Sequence, residues 1–516
     1  MEVCLKQSIL FLSVLSLQLF CVCCYIPCAT REVEYGYVCV CNSTYCDTVP
    51  QIEPLSTGQY QIYTTSKNNL GFSSSVGAFS SSSNSTASVQ ISVANLSDTH
   101  QTIIGFGGAF SDSTGINVLS LPEEAQQLLL ESYFGEEGLG YTLGRVPIGG
   151  TDFSTKAYTY CDGEDLTLEE FTLADEDYSY KLPLIKKAID LKGDKQLLLL
   201  ASAWSSPAWT KSTNSIKGSG NLKEEYYDWW AKYFIKFFEA YESNGVIFWA
   251  VTTQNEPVQG FLATDVPNLR FSFNNLKTWI KDYFGPTIRN STFKDLKIVT
   301  YDDGRDFLPL LQMVVLSDEE VLEYIDGVGV HWYTDFFIPA SFLNYAKSDK
   351  KDLFVIGTEA SNGFLKFFDL IPPVMLGSWS RGVNYINNIF DDLEYGMAGW
   401  IDWNMALDPS GGPTFIDNFV DSPIIVNSTL GEFYKQPMFY ALGHFSKFVL
   451  PDSVRVTTEV SSGKIRTLAF NRPDNKTVLI ISNDSDDDVE VDIVIESISS
   501  TINIQSKSIN SLLIKL

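Results

Sequence analysis

The chain has 516 residues, of which 45% are hydrophobic and 19% are charged, and its formal net charge is −27. This composition is typical of a globular protein, and the length allows one large domain with one or two small ones. A surface this acidic repels nucleic acid and anionic membranes, so the sequence predicts no nucleic-acid partner.

The N-terminus has the features of a secretory signal. An apolar run from Ile9 to Cys24 follows a short polar start that contains Lys6. The run is short for a membrane span, so we predict a signal peptide over residues 1–24. Sequons for N-glycosylation, which agree with passage through the secretory route, begin at Asn42, Asn84, Asn95, Asn290, Asn427, Asn475 and Asn483.

Five cysteines follow the predicted signal peptide. Four of them lie within Cys28–Cys46, and the fifth is Cys161. In a secreted chain such a cluster favours two local disulfides, whose pairing the spacing leaves open. Cys161 is then expected to be an unpaired thiol.

The regions outside the centre of the chain are rich in β-strand signals. Residues 51–98 are rich in Ser, Thr and Gly, with alternating apolar positions at Ala87–Val93. After about residue 452 helical patterns vanish, and six short strands predict a β-sandwich. Because chain termini often lie together, we expect the early β segment to join it.

Between these regions, apolar strand-like runs alternate with helical patterns. Eight such strands predict a (β/α)8 TIM barrel, so the fold class is α/β; a doubly wound open sheet is the alternative. The predicted strands are Ile103–Gly107, Tyr141–Pro147, Gln196–Ala201, Val246–Gln254, Leu296–Asp302, Gly327–His331, Leu353–Glu359 and Ala398–Asn404.

Three of the intervening helices have recognisable ends. Pro122–Phe134 is predicted to begin with a capping box opened by Ser120. Glu224–Ala240 has an aromatic stripe that indicates packing against the barrel. Phe273–Phe284 is predicted to stop at Gly285-Pro286, because proline disrupts a helix interior.

The carboxyl ends of the predicted strands hold the candidate functional residues, since (β/α)8 enzymes have their active sites there. Carboxylates perform acid–base and nucleophilic chemistry on acetals, tryptophan rings stack on sugars, and Asp and Asn bind vicinal hydroxyls. The set therefore indicates a carbohydrate-active enzyme. Its members are Asp112, Arg145, Asp152, Trp204, Asn255, Glu256, Asp302, Asp303, His331, Trp332, Tyr333, Glu359, Asp402, Trp403 and Asn404.

Two glutamates stand out in this set. Glu256 follows the apolar run Val246–Val251, and Pro257 ends the strand behind it. Glu359 ends a second apolar strand. A single glutamate at a strand end is often part of a structural ion pair, but a pair on strands four and seven favours catalysis. We predict that the two face each other across an active site.

Other apparent motifs carry no chemistry. Gly105–Phe110 resembles the start of a dinucleotide-binding loop but lacks its third glycine, so we interpret it as tight packing. His100, His331 and His444 are scattered, which argues against a zinc site. The acidic run Asp484–Asp488 is expected to be a solvated loop. We therefore predict no metal and no cofactor.

Several longer motifs are specific. They are Cys39–Cys46, Gly105–Ala109, Ala201–Trp209, Asn255–Pro257, His331–Tyr333, Trp400–Asn404, Phe419–Val426, Phe433–Tyr440 and Gly443–Phe448. On these motifs the chain resembles glycoside hydrolase family 30, over Cys28–Leu516.

The resemblance implies a retaining mechanism, with Glu256 as acid/base and Glu359 as nucleophile. It also implies disulfides Cys28–Cys39 and Cys41–Cys46. Residues implied to bind glucose are Asp152, Trp204, Asn255, Trp403 and Asn418, and those implied to support the glutamates are Arg145, His331 and Tyr333.

The resemblance implies an architecture as well: a barrel, an immunoglobulin-like β-sandwich built from both termini, and a small disulfide-linked β region. The expected limits are 25–50 with 404–436 for the small region, 51–98 with 452–516 for the sandwich, and 99–403 with 437–451 for the barrel.

The implied activity is hydrolysis of glucosylceramide, or a related β-glucoside, to glucose and ceramide. The alternatives are a barrel glycosidase acting on xylan or β-1,6-glucan and a non-catalytic glycolipid-binding protein. The resemblance further implies delivery to the lysosome, with secretion as the alternative. Its implied partners are a saposin-like activator, a sorting receptor and a membrane contacted peripherally.

Overall fold

A computed structural model describes residues 25–80, 87–93, 96–258, 265–364 and 371–516. The predicted signal peptide and the sequons at Asn84 and Asn95 lie outside the described residues. Within the described ranges, no helix combines the length and the apolar character needed to cross a bilayer.

Eight parallel strands form a closed barrel, in the order in which they follow one another along the chain. The eighth strand pairs with the first, with Gly399 opposite Gly105. This closure confirms the barrel and excludes the open doubly wound sheet. The strands, numbered 1 to 8, are Gly105–Ala109, Leu143–Ile148, Leu198–Ala203, Ala250–Thr252, Lys297–Gly304, Gly327–His331, Phe354–Glu359 and Met397–Asn404.

The barrel interior is filled by branched apolar side chains, including Leu143, Leu200 and Val299. Strands 1 and 2 approach closely, because a Cβ atom on Gly107 would lie 1.9 Å from the carbonyl oxygen of Leu143. The packing interpretation of the glycine-rich segment is therefore confirmed. Strand 4 is shorter than predicted, and Ile247, in the predicted strand, is 72% exposed.

Helices surround the barrel. The α-helices are Asp112–Leu119, Glu123–Phe134, Leu182–Lys192, Tyr227–Ser243, Phe273–Trp279, Gly285–Arg289, Leu308–Val314, Glu319–Tyr324, Trp379–Glu394 and Pro437–Ser446. In the part of the chain that the structure describes, they are accompanied by two π-helical turns, Asp177–Lys181 and Ile280–Phe284, and four 3₁₀ turns, Ala208–Thr210, Glu224–Tyr226, Arg305–Phe307 and Ala340–Ala346. The aromatic stripe of Tyr227–Ser243 packs inward as predicted: Phe237 and Phe238 both contact Phe248 just before strand 4.

Two predicted helix ends are wrong. Ser120 caps the end of Asp112–Leu119, and its hydroxyl donates to the carbonyl of Asn117 instead of opening the next helix. Helical winding also continues past Phe284 to Arg289. A π-helical turn precedes Pro286, which then occupies a first-turn position where no N–H donor is needed.

A β-sandwich contains strands from both ends of the chain, as predicted. Its seven-stranded sheet has the order Asn69–Ala78, Gln59–Ser66, Ser508–Lys515, Thr477–Asn483, Ile465–Asn471, Val454–Val456 and Thr99–Thr102. Its four-stranded sheet has the order Thr458–Val460, Val89–Val93, Val489–Ile495 and Ile498–Ile504. The run Asp484–Asp488 forms an exposed loop between two of these strands, in agreement with the solvated interpretation.

A third sheet joins the N-terminal region to the segment after strand 8. It has the order Thr30–Val33, Gly36–Asn42, Glu432–Lys435, Ile424–Asn427 and Ala406–Leu407. The disulfides Cys28–Cys39 and Cys41–Cys46 are present there, which confirms both pairings. Cys161 is a buried free thiol, as expected. The limits of the three regions stay a prediction.

One sequon does not suit the fold. Asn483 is fully buried in the sandwich, and its amide nitrogen donates to the carbonyls of Asp487 and Gln505, both at 2.9 Å. A glycan on that nitrogen would break these bonds and has no space. The sequons at Asn42, Asn290, Asn427 and Asn475 stay predictions.

Candidate active site

Glu256 and Glu359 lie at the same, carboxyl end of the barrel. Glu359 is the last residue of strand 7, and Glu256 is in the turn that follows strand 4. The backbone of Glu256 is left-handed, with φ of 44°, and its N–H donates to the carbonyl of Asp302 at 2.9 Å. Non-glycine residues adopt this conformation at a cost, and such strained residues are enriched at functional sites.

The two carboxylates are close to one another. One oxygen of Glu256, one oxygen of Glu359 and a ring nitrogen of His331 all lie within 4.8 Å of each other. Retaining glycosidases have carboxyl groups about 5–5.5 Å apart, whereas inverting enzymes need roughly 6.5–9.5 Å to hold a water between them. The separation therefore suits direct attack by one carboxylate.

Both oxygens of Glu359 are fixed by donors. The Arg145 guanidinium donates to Oε2, and the Tyr333 hydroxyl donates to Oε1 at 2.7 Å. Burial and the Glu359 charge raise the pKa of Tyr333 well above its usual value, so the phenol remains a donor. The Glu359 side chain is only 8% exposed. These contacts orient a nearly buried carboxylate in one position.

Arg145 is the central cation of the site. Besides Glu359, its Nη2 donates to Asn255 Oδ1 at 2.7 Å and to Asp302 Oδ2 at 2.8 Å. It is fully buried, and its guanidinium lies 4.7 Å from the Trp204 ring centroid. Burial disfavours its charge, but Asp302 and Glu359 outweigh this and raise the Arg145 pKa.

His331 connects Glu256 to Asp302. Its Nδ1 is 3.1 Å from Glu256 Oε1, and its Nε2 is 3.1 Å from Asp302 Oδ1. Burial alone would lower its pKa, but Glu359, Asp302 and Glu256 raise the pKa of His331 to about 10. Both ring nitrogens then hold protons and donate.

Asp302 anchors these two cations, a role that the sequence did not reveal. Burial opposes its charge, but Arg145 and His331 hold the pKa of Asp302 well below its usual range. Ser202, which sequence reasoning missed, donates to Asp302 Oδ2 at 2.7 Å from strand 3. Its position at a strand end made Asp302 a candidate without showing this role, whereas a serine inside a strand gives no comparable signal.

The residues predicted to bind sugar contact Arg145 or one another. The Trp204 and Trp403 rings stack, with centroids 5.0 Å apart and an interplanar angle of 20°. Asn418 Nδ2 donates to Asp152 Oδ2 at 2.8 Å. Burial and the Glu359 charge raise the pKa of Asp152 to about 7. Stacked indoles beside a carboxyl and an amide suit a polyhydroxylated ring.

Other strand-end candidates make different contacts. Asp112 accepts from Ser154 at 2.6 Å and lies 3.9 Å from the buried Lys181. Asp402 accepts from the Tyr385 hydroxyl at 2.6 Å, behind strand 8. These carboxylates belong to packing networks and are not among the bonded neighbours of the two glutamates.

Comparison with known proteins agrees with this geometry. Residues 103–449 match the TIM-barrel domain of glycosyl hydrolase family 30, and residues 452–512 match the β-sandwich domain of that family. The lysosomal acid glucosylceramidase of Mus musculus is 40% identical over 476 residues, covering 90% of this chain and 91% of that protein.

Two further matches extend over most of the chain. A Caenorhabditis elegans protein with the provisional name glucosylceramidase 4 is 41% identical over 467 residues, covering 89% of this chain and 88% of that protein. Among solved structures, SrfJ from Salmonella typhimurium has a TM-score of 0.81 at 25% identity, covering 89% of this chain and all of the other.

Proposed function

The chain belongs to glycosyl hydrolase family 30, and from this premise we propose that it is a retaining β-glucosidase that hydrolyses glucosylceramide to glucose and ceramide. The observation that supports retention is the short separation of Glu256 and Glu359, whose nearest oxygens lie within 4.8 Å. The substrate is proposed from the relatives named as glucosylceramidases, which are similar over about nine-tenths of the chain.

In the proposed mechanism, Glu359 attacks the anomeric carbon and displaces the ceramide oxygen. Glu256 donates a proton to that oxygen as the glycosidic bond breaks, which leaves a glucosyl-enzyme. Glu256 then removes a proton from water, and the water oxygen attacks the anomeric carbon to release Glu359. Two inversions return the β configuration. The greater exposure of Glu256, 28% against 8% for Glu359, suits the side where aglycone and water enter.

In this proposal Trp204 and Trp403 contact the glucose ring, while Asp152, Asn255 and Asn418 bind its hydroxyls. Arg145, His331 and Tyr333 hold the two glutamates in place. All eight side chains act directly on glucose or on a reacting carboxylate.

We also propose that the protein works in an acidic compartment of the secretory route, the lysosome. The similar mouse protein is named lysosomal, and the two disulfides require an oxidising compartment to form. Cleavage of residues 1–24, glycosylation, a saposin-like activator, a sorting receptor and peripheral membrane contact belong to this same proposal.

Direct turnover tests the substrate class. We expect release of glucose from glucosylceramide in detergent at acidic pH, with β-glucose as the first anomer seen by NMR. Xylan and β-1,6-glucan, the substrates of the rival assignment, are incubated in parallel with the same enzyme preparation. Faster turnover of either polymer would overturn the glucosylceramidase proposal, and first release of α-glucose would overturn retention.

The matched control is the Glu359→Gln protein, prepared identically. It should bind the substrate but release no glucose, which excludes a contaminating hydrolase. Binding of glucosylceramide without turnover by the wild-type chain would support the non-catalytic alternative.

A further inference from the structure

Lys211, in the loop after strand 3, is a buried lysine with an unusual set of partners. Its Nζ lies 3.1 Å from Ser205 Oγ, 3.0 Å from the carbonyl of Ile216 and 3.2 Å from that of Gly218, and it also donates to the carbonyl of Asn268. No carboxylate of the described residues forms an ion pair with it. Burial lowers the pKa of Lys211 to about 7.

A buried cation without a counter-charge destabilises a fold, and a neutral side chain of similar length would avoid that cost. The surroundings nevertheless fit this side chain closely. A Cβ atom on Gly220 would lie 2.9 Å from Lys211 Cε, so the strand above it packs directly on the lysine stem. The role of Lys211 therefore depends on what the residues that provide its carbonyl partners contact in turn.

Two of the three carbonyl partners, those of Gly218 and Asn268, belong to a small sheet beside the active site. Gly218–Asn221, from the loop after strand 3, pairs in parallel with Pro267–Arg270, from the loop after strand 4. Lys211 binds carbonyl oxygens on both of these strands, one from Gly218 and one from Asn268. The ammonium therefore joins two loops that are separate in sequence.

Asn268 in turn holds Glu256. Its Nδ2 donates to the carbonyl of Glu256 at 3.3 Å, while the N–H of Glu256 donates to Asp302 at 2.9 Å. The left-handed peptide of Glu256 is thus bound on both sides. Such a conformation persists only where neighbours determine it.

We propose that Lys211 is a positioning residue for proton transfer: through Asn268 it fixes the backbone of Glu256 and so aims the carboxyl at the leaving oxygen. This inference rests on the acid/base role proposed for Glu256. It predicts that loss of Lys211 slows hydrolysis only of substrates whose leaving group must be protonated. An alkoxide leaving group depends on the position of the Glu256 carboxyl, whereas a leaving group that needs no proton does not.

The test compares two β-glucosides in the Lys211→Met variant of the full chain. With an alkyl β-glucoside, whose leaving group must be protonated, we expect kcat/KM to fall by about tenfold or more. With 2,4-dinitrophenyl β-glucoside, which leaves unprotonated, we expect a fall of less than about threefold. Equal losses with both substrates would show a merely structural role and would overturn the inference.

Two further variants complete the experiment. Asn268→Leu removes the donor to Glu256 but keeps the carbonyl that binds Lys211, so it should show the same selective loss; the double variant should be no worse than either single one. If Lys211→Met does not fold, the Asn268→Leu variant provides the test, through the same comparison of its kcat/KM losses with the two β-glucosides. Lys223→Met is the matched control, because Lys223 binds Trp209 and Asn214 of the same loop.

Failure of the two proposals is distinguishable. A wild-type chain that hydrolyses neither β-glucoside would overturn the proposed function. A wild-type chain that hydrolyses both, together with a Lys211→Met variant that retains the wild-type ratio, would overturn the positioning role alone.

Discussion

The two glutamates have the same side chain, and their carboxylates are neighbours, but the structure holds them in different ways. Glu359 ends a regular strand, is almost fully buried, and has a donor on each oxygen, from Arg145 and Tyr333. Glu256 follows a short strand in a left-handed turn and is more exposed. Its carboxyl bonds to His331, and its backbone depends on loop contacts.

The difference teaches how one residue type acquires two roles. The proposed nucleophile must point in one direction, which a cation and a phenol on opposite oxygens achieve. An acid/base must exchange protons with substrate and water, which requires access from outside. Substitution of Glu359 should therefore reduce turnover of every β-glucoside. Substitution of Glu256 should cause a loss of turnover that depends on the leaving group.

Replacing Glu359, the proposed nucleophile, should have the largest effect. Glu359→Gln keeps the shape of the side chain but removes the attacking charge, so kcat with any β-glucoside should fall by about 10⁴-fold or more. Intact-mass measurement should detect no glucosyl-enzyme, even with 2,4-dinitrophenyl β-glucoside. A trapped glucosyl adduct in this variant would assign the nucleophile elsewhere.

The matching change at Glu256, the proposed acid/base, sharpens the contrast. Glu256→Gln should reduce glucosylceramide turnover by about 10²- to 10⁴-fold, the usual contribution of general acid catalysis. With 2,4-dinitrophenyl β-glucoside it should still form the glucosyl-enzyme and accumulate it, because water activation is lost. Mass spectrometry of the two variants side by side checks this. Identical behaviour of both variants would contradict the division of roles.

His331 connects the two sides, and its effect on stability should depend on pH. Its pKa rises from an ordinary 6.5 to about 10 in the fold, so its stabilising contribution is complete below pH 6.5 and is lost as pH rises towards 10. Urea unfolding should show the difference between wild type and His331→Gln shrinking by about 2–4 kcal/mol between pH 6 and pH 10. A constant difference would contradict a protonated His331.

His100 provides the control for that experiment. It is an exposed residue whose ring is partly desolvated. This desolvation and the Arg455 charge lower its pKa instead of raising it. The difference in unfolding free energy between wild type and His100→Gln should therefore not shrink above pH 6.5, in contrast to the difference for His331→Gln.

The smallest effect is expected among the residues proposed to bind sugar. Asn418→Ala removes the donor that holds Asp152, 2.8 Å away, without touching either glutamate. KM for β-glucosides should rise by about three- to tenfold with little change in kcat. Steady-state kinetics checks this, with Asn503→Ala, an exposed asparagine of the sandwich, as control. A fall in kcat alone would place Asn418 in the chemical step.

Much of the site could be predicted because parallel strands bring their carboxyl ends to one edge. That rule placed Glu256 and Glu359 opposite each other from their strands alone, and it included Asp302 and His331 in the candidate set. Ser202 and the Lys211–Asn268 link were missed, because their partners lie 50 to 100 residues away or are backbone carbonyls. No local pattern marks a backbone carbonyl as a ligand.

Two local signals failed for the same reason. Ser120 has the local pattern of a helix N-cap, but an earlier helix ends there and uses its hydroxyl. Asn483 fits a sequon, but the sandwich buries its side chain. In both cases a correct local signal was overruled by a neighbour that only folding supplies.

By itself the sequence determined the alternation of strands and helices, the positions of the two glutamates and the family to which the chain belongs. These follow from hydrophobic periodicity and from motifs, which are properties of adjacent residues. Only the tertiary structure decided the barrel closure, the protonated state of His331 and the rigid hold on Glu359. Those depend on burial and on charges that come from different strands, and such terms exist only after the chain has folded.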